Sequence, residues 1–345
     1  MWLLDWGMRL YELKERLDGK VSAMGKGWYC LSLPLPRRRL DGCACTSPLA
    51  HFYIHHSDSS VRELHPFTTI THLASQNAII PGKEDDLPIQ FLFRKSGKSD
   101  AGDLPVAKDG FMTAFGLSRR KRPAKIQWTN KLAGLVDQSE HGMSYTTASV
   151  TLGPLDLVTP GKQSSMVGSW PEYFRLTADV SLRLEGPYFT PADPAQYETV
   201  VCFVAGTGVS GAIAIAQAFT ELERGEANAL PGRKPESGDS PNTLLSPSTR
   251  TWQKCVINWS VRADDCLDVP AFKAHSGSAL EVRVHLTGTG RKRLDMEETL
   301  ASSCKQSREG SIWVYLSGPP QFIEAGEKAC KAAPGVDWYG ARWDI

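Results

Sequence analysis

The 345-residue sequence lacks a long apolar run, a dominant charge sign and an ordered set of metal-spaced cysteines. No stretch approaches the roughly 18 consecutive apolar residues of a spanning helix. The opening MWLLDWGMRLYELKERLDGK carries no basic residues ahead of its apolar run and no small-residue cleavage site after it, so it does not read as a secretory signal. It reads as an amphipathic helix over residues 1–20, with Leu3, Leu4, Met8 and Leu10 on one face. The formal net charge of +1 leaves no global field to recruit nucleic acid or an acidic membrane. Eight cysteines are scattered, and the single close pair, Cys43 and Cys45, has no second pair of the kind a zinc site needs. Several others sit in apolar runs as small hydrophobes, which fits a reducing compartment.

What is present is ordinary folded composition, 41% hydrophobic and 22% charged. Such a chain folds, and its length suits two domains. The first part, taken as residues 21–192, is rich in short alternating segments. Trp28 to Leu33, His51 to His55, Ile89 to Phe93 and Val180 to Leu184 read as strands between Pro, Gly and Asp punctuation, the texture of a small antiparallel barrel. From residue 193 to 345 the texture changes. Apolar strands at Thr199 to Val204, Cys255 to Val261, Leu280 to Leu286 and Ile312 to Leu316 alternate with helices. One helix is expected to close at Gly225 and another to run from Pro320 to about Ala332. This predicts an α/β doubly wound parallel sheet. Two insertions interrupt the plan, at about 96–125, with the basic run Arg119 to Arg122, and at about 226–250, rich in Pro, Ser, Gly and Asn.

Three strand ends carry candidate chemistry. Gly206, Thr207, Gly208, Val209 and Gly211 form a GTGxxG turn between an apolar strand and a helix, where backbone can approach a diphosphate and helix N–H groups face it. A purely structural turn is the alternative. Thr287 opens TGTGRKR, whose Arg291 and Arg293 would suit a ribose phosphate and so favour NADPH; a basic exposed loop is the other reading. Ser317, Gly318 and Pro319 follow a third strand, but Gly-Pro-Pro alone is a common loop composition. In a doubly wound sheet these ends converge on one crevice. In the first half, His65-Pro66-Phe67-Thr68 follows a strand-like segment; an aromatic and a hydroxyl there would suit a flat ring, though a histidine before proline at a strand end is more often a structural feature.

HPFTTI at 65–70 resembles the HPFT motif of the ferric reductase and NADPH oxidase superfamily, which lies against the FAD isoalloxazine. The similarity continues in order through Ser47 to Ile54, Ile89 to Arg94, Gln127 to Leu132, Leu184-Glu-Gly186-Pro-Tyr188, the glycine turn, Val256 to Arg262 and Ser317-Gly-Pro-Pro. The resemblance implies an FAD-binding barrel followed by an NADPH-binding domain of the ferredoxin reductase type, and an NADPH:FAD oxidoreductase of ferric or metalloreductase type. It places Thr68 at the flavin edge with His65, Pro66 and Phe67 around it, Arg94 and Thr129 at the FAD diphosphate, and Gly186 and Tyr188 at the junction turn. Ser317 and Gly318 fall beside the nicotinamide. The opening helix is similar to the segment after the last membrane helix of these reductases, implying membrane association on the cytosolic side and a haem-bearing membrane partner or preceding domain, with a soluble cytoplasmic protein as the alternative. The acceptor would be ferric chelate, a haem protein or oxygen. Ser317 stands where the family has cysteine and Phe189 where it has glycine, which keeps a non-catalytic nucleotide-binding remnant as an alternative; a superoxide-forming oxidase is another, since no residue separates iron from oxygen as acceptor. Trp343 would supply the C-terminal aromatic that shields the flavin.

Overall fold

The computed structural model describes residues 15–40, 47–56, 65–73, 86–95, 128–142, 177–190, 193–228, 252–269, 272, 279–291, 293–306 and 311–342. Most of the two insertions, most of the opening segment, Cys43, Cys45 and Trp343 lie outside them.

The first half is a six-stranded antiparallel sheet: β1 (Leu17–Gly25), β2 (Trp28–Leu35), β3 (Ala50–His56), β4 (His65–Thr68), β5 (Leu87–Arg94) and β6 (Thr177–Phe189), in the order β4-β3-β6-β1-β2-β5. The two edges meet. Thr69 bridges Phe91, the Ile70 amide donates to the Gln90 carbonyl at 2.9 Å, and the Gln90 amide donates to the Thr71 hydroxyl at 3.0 Å. Closure removes the exposed edges that an open sheet would offer. Alternation fills the interior with Val21, Leu31, Leu33, Phe52, Ile54, Ile89, Phe91, Leu182 and Leu184, all buried. Helix α1 (Trp128–Gly142) adds Leu132, Ala133 and Val136 to this core.

Leu17 to Lys20 belong to β1, so the expected opening helix does not run through residue 20. The buried pair Leu17 and Val21 is spaced by four, which fits one helical face and one strand face equally. Pairing of β1 with both β2 and β6 decides in favour of strand.

The second half is a five-stranded, wholly parallel sheet: β7 (Thr199–Ala205), β8 (Lys254–Arg262), β9 (Leu280–Thr287), β10 (Ile312–Ser317) and β11 (Val336–Ala341), in the order β11-β10-β7-β8-β9. Helix α2 (Val209–Asn228) covers one face through Ala212, Ile213, Ala216 and Phe219. Helices α3 (Met296–Gln306) and α4 (Pro320–Ala332) cover the other through Met296, Leu300, Ile323 and Ala329. With both faces covered, β7 and β10 are apolar on both sides, which explains their unbroken runs. Helix α2 passes through Gly225 instead of ending there. One glycine in a helix costs only about 1 kcal/mol relative to alanine, too little to stop it alone.

The halves share one core. Trp28 and Leu92 of the barrel pack in the same cluster as Val204, Trp259 and Val261 of the sheet, with Trp28 meeting Trp259 edge-on at 6.3 Å. Beside this seam, the His72 ring contacts the Glu221 carboxylate at 2.9 Å, and the His72 amide donates to the Gln217 side chain. No helix among the described residues is long and apolar enough to cross a membrane.

Candidate functional site: a cleft at the switch point of the sheet

From β7 the strand order runs outward in both directions, to β8 and β9 on one side and to β10 and β11 on the other. The chain after β7 therefore runs to one face of the sheet and the chain after β10 to the other, and at the carboxyl edge between them open α/β sheets leave a crevice. A cleft of about 1320 Å³ occupies this place and extends onto the barrel.

The sheet side of the cleft is mainly backbone. Gly206 has φ 54°. That is the left-handed region that a side chain resists. Its carbonyl accepts from the Trp259 indole at 3.3 Å. The chain then makes one 3-10 turn, Gly206–Gly208, and enters α2, whose first-turn Ser210 hydroxyl donates to the Thr207 carbonyl at 3.0 Å. A side chain at Gly208 would place its Cβ 2.6 Å from the Ser317 carbonyl oxygen and 2.7 Å from Ser317 Oγ. The two turns are thus in contact, and only glycine permits it. Beneath them, Tyr315 is fully buried against Gly211, and burial pushes its phenol well above the usual range.

The barrel side is mainly side chains. Pro66, Phe67 and Thr68 come from β4, Leu92, Phe93 and Arg94 from β5, Trp28 from β2 and Thr129 from α1. The β4 residues are held by pairing with β3, where His51 lies opposite Thr68 and Phe52 opposite Phe67. Phe67 also meets Phe91 edge-on at 6.4 Å.

At the far end lie Thr287, Gly288, Arg291 and Arg293, joined by Ser260 and Arg262 from the end of β8. Among the described residues, four arginines (94, 262, 291 and 293) line the cleft against one carboxylate, Asp265, so its field favours an anion. Asp265 closes a short turn after β8; it pairs with Arg94 of the barrel, and its carbonyl accepts from the Trp28 indole at 2.6 Å.

Fifteen residues singled out from the sequence line this cleft: Pro66, Phe67, Thr68, Arg94, Thr129, Gly206, Thr207, Gly208, Gly211, Thr287, Arg291, Arg293, Ser317, Gly318 and Pro319. Others do not. Val209 is buried at the start of α2. Gly186 and Tyr188 lie within β6, where Tyr188 stacks on His51 at 5.4 Å and donates to Glu185. Phe189 pairs with Ala50 and packs on the barrel core. His65 is placed in β4 by its backbone pairing with Ile54. Arg262, Asp265, Ser260 and Phe322 are cleft residues that sequence reasoning does not single out. For Arg262 a signal exists, since it ends an apolar strand at the edge where ligands sit.

The donor set fits nucleotides that carry diphosphates. Two glycine turns and a helix start offer backbone N–H groups, and four guanidinium groups supply charge. Arg94 Nε is buried with no hydrogen-bond partner among the described residues.

No protein-family model matches the chain, and no curated protein matches it. Solved structures do. The chain is similar to the CS-b5R domains of human Ncb5or in the NAD+ form, at 11% identity and a TM-score of 0.47, over 95% of this chain and 70% of that one. It is similar to ferredoxin-NADP+ reductase from Plasmodium falciparum with 2'P-AMP, at 10% identity and a TM-score of 0.47, over 95% and 97%. It is also similar to phthalate dioxygenase reductase, at 9% identity and a TM-score of 0.46, over 94% and 67%. Scores and identities this low mark likeness only; the two-sheet architecture stands on its own strand order and register.

Proposed function

We propose that this chain is a pyridine-nucleotide-dependent flavin oxidoreductase, binding FAD on the barrel side of the cleft and NADPH on the sheet side, of the ferric or metalloreductase type. The observation that carries this reading is the joining of the HPFT strand and the two glycine turns in one cleft of about 1320 Å³. That exceeds the roughly 300–1,000 Å³ of an ordinary ligand pocket, as two nucleotides side by side require. The domains fall at 21–192 and 193–345 in this reading.

When bound, the two cofactors supply hydride transfer and the later release of single electrons. The residues of the chain align them. Thr68 offers its hydroxyl to the flavin edge, with Pro66 and Phe67 as walls and His65 at the head of the motif. Arg94 and Thr129 hold the FAD diphosphate. The Gly206 to Gly211 turn receives the dinucleotide diphosphate, and Thr287, Arg291 and Arg293, with Arg262 beside them, take the adenosine phosphate. Ser317 and Gly318 set the nicotinamide, since reacting atoms must come within roughly 3–3.5 Å of each other. Trp343, outside the described residues, is the proposed shield of the flavin. Gly186 and Tyr188 act at one remove, through the β3 pairing that fixes β4. Resemblance supplies the finer terms: a ferric chelate, a haem protein or oxygen as acceptor, and membrane association on the cytosolic side.

The visible spectrum tests the proposal. Purified protein supplemented with FAD should retain about one equivalent of flavin and bleach on addition of NADPH under argon. Failure to retain flavin would overturn the reading. Retention without bleaching would replace it with a non-catalytic binding module, the alternative that Ser317 keeps in view.

A further inference from the structure

We infer that Asp265 is a positioning residue for the cofactor diphosphate: it holds one arm of the Arg94 guanidinium from across the domain boundary, so that the part left open to the cleft is aimed at a phosphate oxygen. The inference rests on the flavin reading above.

Arg94 ends β5 of the barrel, and Asp265 ends the short turn after β8 of the sheet, 171 residues later. Arg94 Nη2 donates to Asp265 Oδ1, and both residues line the cleft. Asp265 is itself fixed. Its side chain is 11% exposed, and its backbone carbonyl accepts from the indole of Trp28, one of the most deeply buried residues of the barrel.

This ion pair is not needed to seat the domains. The contact of Trp28 with Trp259, within the core shared by both halves, does that by apolar burial. What the pair does control is the direction of a guanidinium on a flexible stem. An arginine has five N–H donors in a rigid fork, and fixing one arm fixes the plane of the others. The Arg94 side chain lines the cleft and is 35% exposed, so the donors that Asp265 does not take can meet an oxygen there. In a cleft with four arginines, that oxygen belongs to an anion. The carboxylate of Asp265 also repels the incoming diphosphate. The acceptor role therefore outweighs the charge: an amide oxygen at 265 suffices, and an empty position does not.

Fluorescence titration of the apoprotein with FAD, and with riboflavin, which has no diphosphate, tests this without reference to turnover. Asp265→Ala should raise the Kd for FAD about tenfold and leave the Kd for riboflavin within about twofold. Asp265→Asn should bring the FAD value back to within about threefold of wild type. In an Arg94→Ala background, Asp265→Ala should add nothing, because its partner is already gone. Should Asp265→Ala not fold, Asp265→Glu decides instead: a carboxylate one methylene longer shifts Arg94 and should raise the Kd for FAD alone. Equal FAD affinity in wild type and the variants overturns the inference and leaves the flavin reading standing. A parallel loss of FAD and riboflavin also overturns it, as damage to the fold. Wild-type protein that binds no FAD overturns both.

Discussion

The two walls of the cleft are made of different material. On the sheet side, Gly206, Gly208 and Gly318 present backbone at strand ends, and position is set by how closely the chain passes itself. On the barrel side, Pro66, Phe67, Thr68 and Arg94 present side chains from the middle and ends of strands, and position is set by cross-strand neighbours. At Gly208 and Gly318 this backbone wall has no room for a Cβ and its damage is steric, while at Gly206 the left-handed φ is what demands glycine. A side-chain wall loses one interaction at a time, and its damage is graded.

The sharpest break of that contrast is Gly208→Ala. The new Cβ would fall 2.6 Å from a backbone oxygen of Ser317, which has no rotamer to move away with. Overpacking of this kind costs about 1–3 kcal/mol. NADPH affinity should fall roughly ten- to hundredfold in a titration of the flavin-loaded protein, while FAD retention is unchanged. Loss of both ligands together would show that the walls are not separable.

Thr68→Val is the counterpart on the other wall. It removes one hydroxyl at constant shape, worth about 0.5–1.5 kcal/mol, so the Kd for FAD should rise roughly three- to tenfold, with NADPH affinity retained. Unchanged flavin retention on gel filtration would remove Thr68 from the site.

A smaller effect is expected at the far end. Arg291 and Arg293 are exposed, so solvent and salt screen them. Alanine at both positions should reduce the preference for NADPH over NADH several-fold at low ionic strength, and less at about 0.5 M salt. A preference independent of both substitutions would assign the adenosine phosphate elsewhere.

The smallest effect concerns pH and falls on the support of the barrel wall. Burial lowers the pKa of His51, which lies opposite Thr68, below its ordinary value. The folded state therefore prefers the neutral ring. Stability is fully retained above the unfolded pKa of about 6.5, and falls as acid protonates the unfolded chain first. The fall stops below the lowered folded pKa. His51→Gln should flatten the decline in melting temperature between pH 7.5 and pH 5.0; an unaltered slope would show that other groups set it.

The same contrast explains how much is legible in the sequence. Strands β7, β8 and β10 announce themselves as apolar runs because both faces are covered. The glycine turn announces itself because backbone approach demands glycine at fixed spacing. The barrel wall has no such signature. HPFT is readable as a site only through family resemblance, since its strand has four residues and its meaning depends on pairing with β3. Helix α3 escapes sequence reading although Asp295 accepts from the Glu298 amide at 3.0 Å. That capping signal is present in the sequence. Its buried residues, Met296, Leu300 and Ser303, are too few in 11 residues to make a pattern. Strand β11 reads only as an aromatic tail because Asp337, Trp338 and Tyr339 mask its alternation. The Arg94 and Asp265 pair joins residues 171 apart, and no local pattern encodes it.

Trp28 and Trp259 bear on how this protein can be divided. Each is 1% exposed. A buried indole hides on the order of 200 Å² of surface from water. A cut between the barrel and the sheet would turn both rings outward and leave each fragment with a sticky aromatic patch. The halves should therefore melt as one cooperative unit, and a graft that exchanges either half for a foreign one should succeed only when it carries its own side of the indole contact.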